Sequence, residues 1–206
     1  MYAIGHFALG YLFGKGSSKT LKTKLNMPLL LVVSVIPDID LILQFVDPAL
    51  FMHRGPTHAL FTLTAVAIPF LIIYRKLAVP YYAAVLSHSL IGDFFTGGLE
   101  LFWPFSQGWF GVPSIQVSSL PSVTTEIILF VLAFAIMFRT RDLHALLKPS
   151  NYNWTLLIAF GAVLGPLTDV GAGYESSLPF PLWIPSIFCL VLFAYSILVE
   201  LRRKRG

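Results

Sequence analysis

The chain has 206 residues, of which 56% are apolar and only 12% charged, with 14 basic residues against 10 acidic ones. Soluble domains carry about 25% charged residues, so this composition excludes an ordinary cytosolic enzyme, a coiled coil and a disordered tail. The basic residues form short clusters at the ends of apolar segments. Membrane topology explains this distribution better than nucleic-acid binding does, so no nucleic-acid partner is expected.

Apolar segments long enough to cross a hydrocarbon core of about 30 Å recur along the chain. They predict an all-α, polytopic membrane bundle of about six transmembrane helices, in a single domain of residues 1–206. The segment Tyr2–Phe13 is too short to cross and predicts a half-helix or an interfacial helix. The six predicted spans are Met27–Val46, Thr57–Tyr74, Val79–Thr96, Ser122–Phe138, Trp154–Asp169 and Leu182–Val199.

The lysines and arginines predict an orientation for this bundle. Along an alternating path through six spans, every basic residue except Arg54 falls on one side of the membrane. The positive-inside rule makes that side cytoplasmic, which places the C-terminus in the cytoplasm and the loop Gly97–Pro121 outside. Most of the acids and histidines gather in the outer half.

Those outer acids and histidines are the residues that point to chemistry. Imidazole and carboxylate groups are ligands of zinc and similar divalent metals, so one or two ions, most simply zinc, are predicted. Each motif alone also fits a structural role, such as a surface carboxylate or a buried histidine bonded to a carbonyl group. That all these motifs fall at one predicted depth in the membrane is stronger evidence than any motif alone. The candidate ligands are His6, Asp38, Asp40, His53, His58, His88 and Asp93.

Pro37 precedes the first pair of acids and cannot donate to the carbonyl group of Val33, so it should break the helix there. On an unbroken helix Asp38 and Asp40 would point about 200° apart. Either one binds the metal while the other orients a histidine, or the helix is open at this point.

The stretch His53-Arg-Gly-Pro-Thr-His58 contains a turn at its glycine and proline. The turn can bring His53 back toward His58, and Thr57 is predicted to cap the next helix. Arg54 extends nearby, where a guanidinium group suits a phosphate. An interfacial arginine that meets lipid headgroups is the alternative.

His88 and Asp93 are five residues apart, which separates them by about 140° on a regular helix. A π-bulge near Gly92 would bring them onto one face, and such bulges are frequent at functional sites. Otherwise the two residues would flank an ion from different sides.

Further outer residues are candidates for supporting roles. Glu126, Asp169 and Glu175 could line a substrate channel or support the metal ligands, although solvated helix ends are the simpler interpretation. The aromatic loop, Leu101–Pro113, carries no formal charge and suits a membrane interface. It could cover a site or hold an acyl chain, or serve only as an anchor.

Five motifs, taken in their order along the chain, resemble the LexA-binding, inner membrane-associated metal-dependent hydrolase family. They are Gly5-His6, Pro37-Asp-Ile-Asp40, His53-Arg-Gly-Pro-Thr-His58, Ser87-His88 with Asp93-Phe-Phe-Thr96, and Leu101-Phe-Trp-Pro104. The resemblance covers residues 1 to about 113. It implies a distant similarity to the fold of zinc-dependent phospholipase C and single-strand nucleases, in which helices present histidines and aspartates to zinc ions that hydrolyse phosphoesters.

The same resemblance implies which residues are ligands, namely His6, Asp38 or Asp40, His53, His58, His88 and Asp93. The family usually spaces the last histidine and aspartate by four residues, whereas this chain spaces them by five. LexA binding is not expected, because the predicted topology places the site on the side opposite a cytosolic repressor.

The leading hypothesis is a membrane-bound metal-dependent hydrolase that cleaves a phosphoester, of a membrane lipid or a small molecule, near the outer membrane face. Asp38 or Asp40 would accept a proton from the attacking water, and Arg54 would stabilise charge on the phosphate. The alternatives are a divalent-cation or proton transporter and a scaffold with a structural metal. An intramembrane metalloprotease is disfavoured because no His-Glu-x-x-His motif occurs.

Overall fold

The computed structural model describes residues 1–168 and 178–205, and residue 205 is described by its backbone alone. Over these ranges the chain is helical and has no strand, and Leu99 and Phe110 form an isolated antiparallel bridge. Its α-helices are α1 (Ala3–Leu21), α2 (Met27–Val33), α3 (Asp40–Leu43), α4 (Leu60–Tyr74), α5 (Val79–Ser87), α6 (Leu120–Arg139), α7 (Leu143–Leu146), α8 (Leu156–Thr168) and α9 (Trp183–Arg205). Short 3-10 helices cover Ile36–Ile39, Pro56–His58, Arg75–Leu77, Asn151–Thr155 and Phe180–Leu182, and a π-helix covers His88–Asp93.

The N-terminal segment forms the centre of this bundle. Helix α1 packs against α5 and α6 and also touches α2, α8 and α9. A Cβ atom at Gly10 would lie 2.3 Å from the Cβ atom of Ser34, so only glycine permits this close approach. The expected short helix at Tyr2–Phe13 is therefore wrong in its extent. The helix continues through a polar stretch to Leu21, in which Gly14 and Ser18 are buried while Gly16, Lys19 and Thr20 are exposed.

Three helical stretches have the length and apolar composition to cross a membrane. They overlap the second, fourth and sixth predicted spans. The expectation of six transmembrane helices is not supported in the described parts of the chain, where the other three predicted spans are short or interrupted. The candidate spans are Leu60–Leu77, Leu120–Arg139 and Phe180–Lys204.

The first predicted span, Met27–Val46, fails because its helix stops early. The Asn26 side chain caps α2 by accepting a hydrogen bond from the backbone of Leu29 at 3.1 Å, but the helix ends at Val33. Pro37 then lies in a 3-10 helix, which confirms the predicted break before the acids. The proline lacks the N–H group that a continuing helix requires.

The third and fifth predicted spans are not supported as candidate spans. In Val79–Thr96 the α-helical part has 9 residues before the π-helix begins. In Trp154–Asp169 the helix α8 has 13 residues, and Asp169 lies outside the described residues. A change of helix type thus interrupts the third predicted span, and the fifth is described only in part.

Helix α4 shows what a lipid-facing helix looks like in this chain. Its apolar side chains are largely exposed, with Val66 at 61%, Ile72 at 70% and Ile73 at 70% of their full accessible surface. A helix that is apolar all round and not covered by protein is typical of a membrane span.

The bundle has two chemically different ends, and helix α1 runs from one to the other. His6 lies in the first turn of α1 and Lys19 in the last, so the rise between them is about 20 Å. We refer to the end that carries His6 as the histidine end and to the end that carries Lys15 and Lys19 as the basic end. At the basic end Lys15 Nζ lies 2.6 Å from Asp142 Oδ2.

Candidate metal centre

Four separate segments meet at the histidine end. They are the start of α1, the 3-10 helix after α2, the turn before α4 and the π-helix after α5. Together they bring all seven predicted ligands into two adjoining groups, within each of which the ligand atoms lie within 4.8 Å of one another. One group holds Asp38, Asp40, His53 and His58, and the other holds His6, His88 and Asp93.

Two imidazole nitrogens and two carboxylate oxygens form the centre of this site. His58 Nε2 lies 3.1 Å from His88 Nε2, and 3.4 and 3.3 Å from Asp38 Oδ1 and Asp93 Oδ2. His88 Nε2 lies 3.4 Å from Asp38 Oδ1 and 3.1 Å from Asp93 Oδ2. Ligands at about 2.0–2.1 Å from a tetrahedral zinc ion are themselves about 3.3–3.4 Å apart. These five separations are close to the edge length of a zinc tetrahedron.

The other nitrogen of each imidazole has a fixed hydrogen-bond partner. His88 Nδ1 lies 2.8 Å from the carbonyl oxygen of Ser34, to which it can only donate. His58 Nδ1 lies 3.1 Å from Asp40 Oδ2. With the proton on Nδ1, each neutral imidazole presents an Nε2 lone pair to the centre. This is the arrangement in which metal-binding histidines are held by a carboxylate or carbonyl group.

Asp40 contacts the Nδ1 atoms of His53 and His58 and does not face the centre. It is fully buried and accepts hydrogen bonds from the backbone N–H of Arg54 at 3.1 Å and from the hydroxyl of Thr57 at 3.0 Å. Burial disfavours its charged form, but hydrogen bonds from His53 and His58 lower the pKa of Asp40 to about 2. Asp40 is thus ionised at neutral pH and holds both rings.

The predicted capping role of Thr57 is wrong. Thr57 lies within the 3-10 helix Pro56–His58, and α4 begins at Leu60 without a side-chain cap. The Thr57 hydroxyl is engaged by Asp40 Oδ2 instead, because the turn directs it toward the site.

The π-helix His88–Asp93 confirms the predicted bulge at Gly92. Its wider turn places residues five apart on one side, so His88 and Asp93 approach each other directly. A Cβ atom at Gly92 would lie 2.6 Å from Cε1 of His6. The glycine thereby makes room for the His6 ring, which stacks on His88 with centroids 3.5 Å apart.

The two oxygens of Asp93 have different surroundings. Oδ2 faces the centre and has no hydrogen-bond donor. Oδ1 lies 3.4 Å from an Arg54 guanidinium nitrogen, 3.3 Å from the Met1 amine and 3.6 Å from His6 Nε2. Both nitrogens of the buried His6 lack a hydrogen-bond partner.

The remaining predicted acids do not join the centre. Glu126 is buried in α6, and its Oε1 accepts a hydrogen bond from the backbone N–H of Tyr2 at 3.0 Å, at the start of α1. Asp169 and Glu175 lie outside the described residues. Sequence reasoning missed Ser34 and Thr96, whose backbone carbonyl groups bind His88 and Arg54. A backbone acceptor leaves no signal in residue identity.

The aromatic loop lies against the segment that carries Arg54. The backbone N–H of Glu100 donates to the carbonyl of Arg54 at 2.9 Å, and that of Leu60 donates to Leu101 at 3.0 Å. The ring of Phe105 is 78% exposed and contacts Phe61, at the start of α4, with centroids 4.8 Å apart. The loop therefore joins the candidate metal centre to a candidate span.

A family model for YdjM inner membrane proteins matches residues 1–164. The chain belongs to the YdjM inner membrane protein family. The region shared with the YdjM family contains every predicted ligand and two of the three candidate spans, Leu60–Leu77 and Leu120–Arg139. No curated protein and no solved structure matches the chain. The chain is thus an inner membrane protein of the YdjM family with residue groups that could hold a metal ion.

Proposed function

We propose that this protein is a metal-dependent hydrolase that cleaves a phosphoester at the outer face of the inner membrane. One observation carries the proposal. His58 Nε2 and His88 Nε2 lie 3.1 Å from each other and 3.1–3.4 Å from carboxylate oxygens of Asp38 and Asp93. Carboxylate and imidazole groups this close require positive charge among them, which a metal ion would supply, and their spacing suits zinc.

A divalent ion in this position would polarise a phosphoryl oxygen and lower the pKa of a bound water. Asp38 is the ligand nearest to solvent, with 17% of its side chain exposed, whereas His58 and His88 are fully buried. Its carboxylate can accept the proton of the attacking water. The guanidinium group of Arg54, 3.4 Å from Asp93, can pair with the phosphate and stabilise its charge.

A membrane lipid is the substrate that the surroundings favour. The aromatic loop is uncharged and exposes Phe105 at 78% and Trp109 at 52%, and it borders both Arg54 and the start of α4. Aromatic side chains favour the interface between headgroups and acyl chains. A phosphate at headgroup depth would thus lie beside the candidate metal centre.

The proposed orientation follows from the two ends of the bundle. Lysines and arginines concentrate at the ends of α1, α4, α6 and α9 that lie opposite the histidines. The positive-inside rule assigns the basic end to the cytoplasm. The histidine end then opens toward the outer side.

A structural metal site is the second candidate function. Four protein donors complete a tetrahedron, and closed four-ligand sites are typical of structural zinc, whereas catalytic zinc keeps one position for water. In that case the ion would tie α1, α5 and the turns around α2 and α4 together without catalysing a reaction.

The test uses the full chain purified in mild detergent. Metal content is measured by mass spectrometry, and hydrolysis is followed on bis(4-nitrophenyl) phosphate and on phospholipid. We expect stoichiometric zinc that His88→Ala and His58→Ala lose, with hydrolysis falling by about 100-fold or more. Asp47→Asn is the control, because Asp47 is exposed and its side chain only accepts hydrogen bonds from backbone N–H groups.

The possible outcomes distinguish the proposed hydrolase from a structural metal site. Bound zinc without hydrolysis of either substrate, together with a lower unfolding temperature of His88→Ala, would support the structural site. Protein that binds no divalent metal would contradict both. Unchanged hydrolysis after metal removal would contradict the proposed enzyme.

A further inference from the structure

A cavity at the basic end lies away from the candidate metal centre. It has a volume of about 390 Å³ and is lined by Arg141, His144, Ala145 and Lys148. Arg141 adopts a left-handed conformation with φ 59°, and the backbone N–H of Asp142 bonds back to Met137 at 2.9 Å. This turn reverses the chain directly after α6, so α7 and Lys148 fold back beside Arg141.

The cations of this cavity are not neutralised by the protein. In the described portion of the chain, neither Arg141 nor Lys148 forms an ion pair. The adjacent carboxylate of Asp142 is committed elsewhere, to Lys15 Nζ at 2.6 Å and to the hydroxyl of Tyr11 at 2.8 Å. The cavity thus presents unpaired positive charge, together with an imidazole that can donate a hydrogen bond.

The position of the cavity indicates the source of an anion. Helix α6 is a candidate span that ends at Arg139, and the cavity begins two residues later. Phe138, 68% exposed, and Leu147, 39% exposed, alternate with the basic residues. Cations mixed with exposed apolar side chains at the end of a span lie at the depth of lipid headgroups.

We propose that this cavity binds the phosphate of an anionic phospholipid headgroup. The guanidinium group of Arg141 can bind two phosphate oxygens at once, and Lys148 adds a second positive charge. All four lining residues are exposed, so the headgroup would bind in an open depression at the surface. This proposal does not depend on the hydrolase activity, since the cavity and the metal centre share no residue.

The experiment measures binding by titration calorimetry, with the full chain in neutral detergent and dihexanoyl phosphatidylglycerol as the probe. Arg141→Gln combined with Lys148→Gln should weaken binding by about tenfold or more. The matched control is Arg75→Gln combined with Lys76→Gln, which removes the same charge at the end of α4, where both residues are exposed. That control should change the affinity by less than about twofold.

Two further probes distinguish the source of the anion. Dihexanoyl phosphatidylcholine, which has no net charge, should bind about tenfold more weakly than phosphatidylglycerol. Inorganic phosphate that binds as tightly as phosphatidylglycerol would overturn the lipid assignment.

Equal weakening by both double variants, or none by Arg141→Gln with Lys148→Gln, would overturn the site itself. If that double variant does not fold by circular dichroism, Arg141→Lys provides the test. It keeps the charge but removes the planar donor pair, so an affinity equal to that of the unaltered chain would overturn the role of Arg141.

Discussion

Asp93 at the histidine end and Asp142 at the basic end are both aspartates close to basic groups, but they are satisfied in different ways. The side chain of Asp93 is only 2% exposed, and its Oδ2 faces two imidazole nitrogens without any hydrogen-bond donor. The side chain of Asp142 is 19% exposed, and its Oδ2 is contacted by Lys15, Tyr11 and Thr140.

This difference shows where the protein has room for a metal ion. A buried carboxylate is costly unless it is paired or coordinates a metal. Asp142 is paired through the one oxygen that Lys15, Tyr11 and Thr140 contact. Asp93 is paired through Oδ1, with Arg54 and the Met1 amine, while its Oδ2 faces the imidazoles. The histidine end therefore presents groups that could hold a metal ion.

The largest expected effect tests whether the histidine end is built around that ion. Asp40→Asn removes the charge that holds His58 Nδ1 and His53 Nδ1. We expect zinc affinity to fall by about 10–100-fold, because such supporting carboxylates fix the ligating tautomer. Competition with a chelator measures the affinity.

The control for this experiment is Asp47→Asn. Asp47 is exposed, and it only accepts hydrogen bonds from the backbone N–H groups of Ala49 and Leu50 at 3.0 Å. The zinc affinity of the Asp47→Asn variant should remain unchanged. An unchanged affinity in Asp40→Asn would remove Asp40 from the site and weaken the contrast between the two ends.

A second prediction concerns the tight packing of the histidine end. Gly92→Ala would place a Cβ atom 2.6 Å from His6 Cε1, so the His6 ring or the π-helix must move. We expect the free energy of unfolding to fall by about 1–3 kcal/mol, with partial loss of zinc. Thermal unfolding in detergent, with and without added zinc, measures both effects.

Gly161→Ala is the matched control for Gly92→Ala. Gly161 lies inside α8, and nothing lies within 4 Å of an added Cβ atom. Alanine should leave the stability unchanged or raise it by up to about 1 kcal/mol, since glycine weakens a helix interior. Similar destabilisation by both substitutions would mean that the space beside His6 has no special role.

The smallest expected effect belongs to the basic end. Burial opposes ionisation of Asp142, but hydrogen bonds from Lys15 and Thr140 lower the pKa of this carboxyl group. Asp142→Asn should therefore reduce the free energy of unfolding at pH 7 by about 1 kcal/mol, a small value because solvent screens the pair.

The pH dependence follows from the sign of that pKa shift. A carboxylate with a lowered pKa in the folded state stabilises the protein above its unfolded pKa of about 3.9. That contribution is lost as the pH falls through the lowered value. Unfolding of Asp142→Asn and the unaltered chain should thus differ at pH 7 and converge only as the pH falls below the lowered pKa of Asp142. A difference that persists in acid would contradict the assignment.

Much of the candidate site could be predicted from residue identity, because imidazoles and carboxylates are rare in so apolar a chain. The five-residue spacing of His88 and Asp93 left two arrangements open, a widened turn or an approach to an ion from different sides, and the structure has the widened turn. The sequence could not predict which of Asp38 and Asp40 faces the centre and which one holds the histidine rings. The answer depends on which carboxylate the turn before α4 contacts.

The number of spans shows a limit of hydropathy. Met27–Val46 and Leu60–Leu77 are both apolar, yet the first breaks at Pro37 and is largely buried before that break, while the second exposes its side chains along its length. Hydropathy measures how apolar a segment is, but not whether protein or lipid surrounds it.

The amino-acid sequence by itself determined that this chain is a helical membrane protein with a set of potential metal ligands opposite its basic residues, because composition and charge asymmetry are local properties. Only the tertiary structure decided that α1 is the central helix, that three helices remain as candidate spans, and that the seven potential ligands meet in two adjoining groups. Those features arise from contacts between segments far apart in the chain, and backbone acceptors such as Ser34 contribute to them without any signal in the sequence.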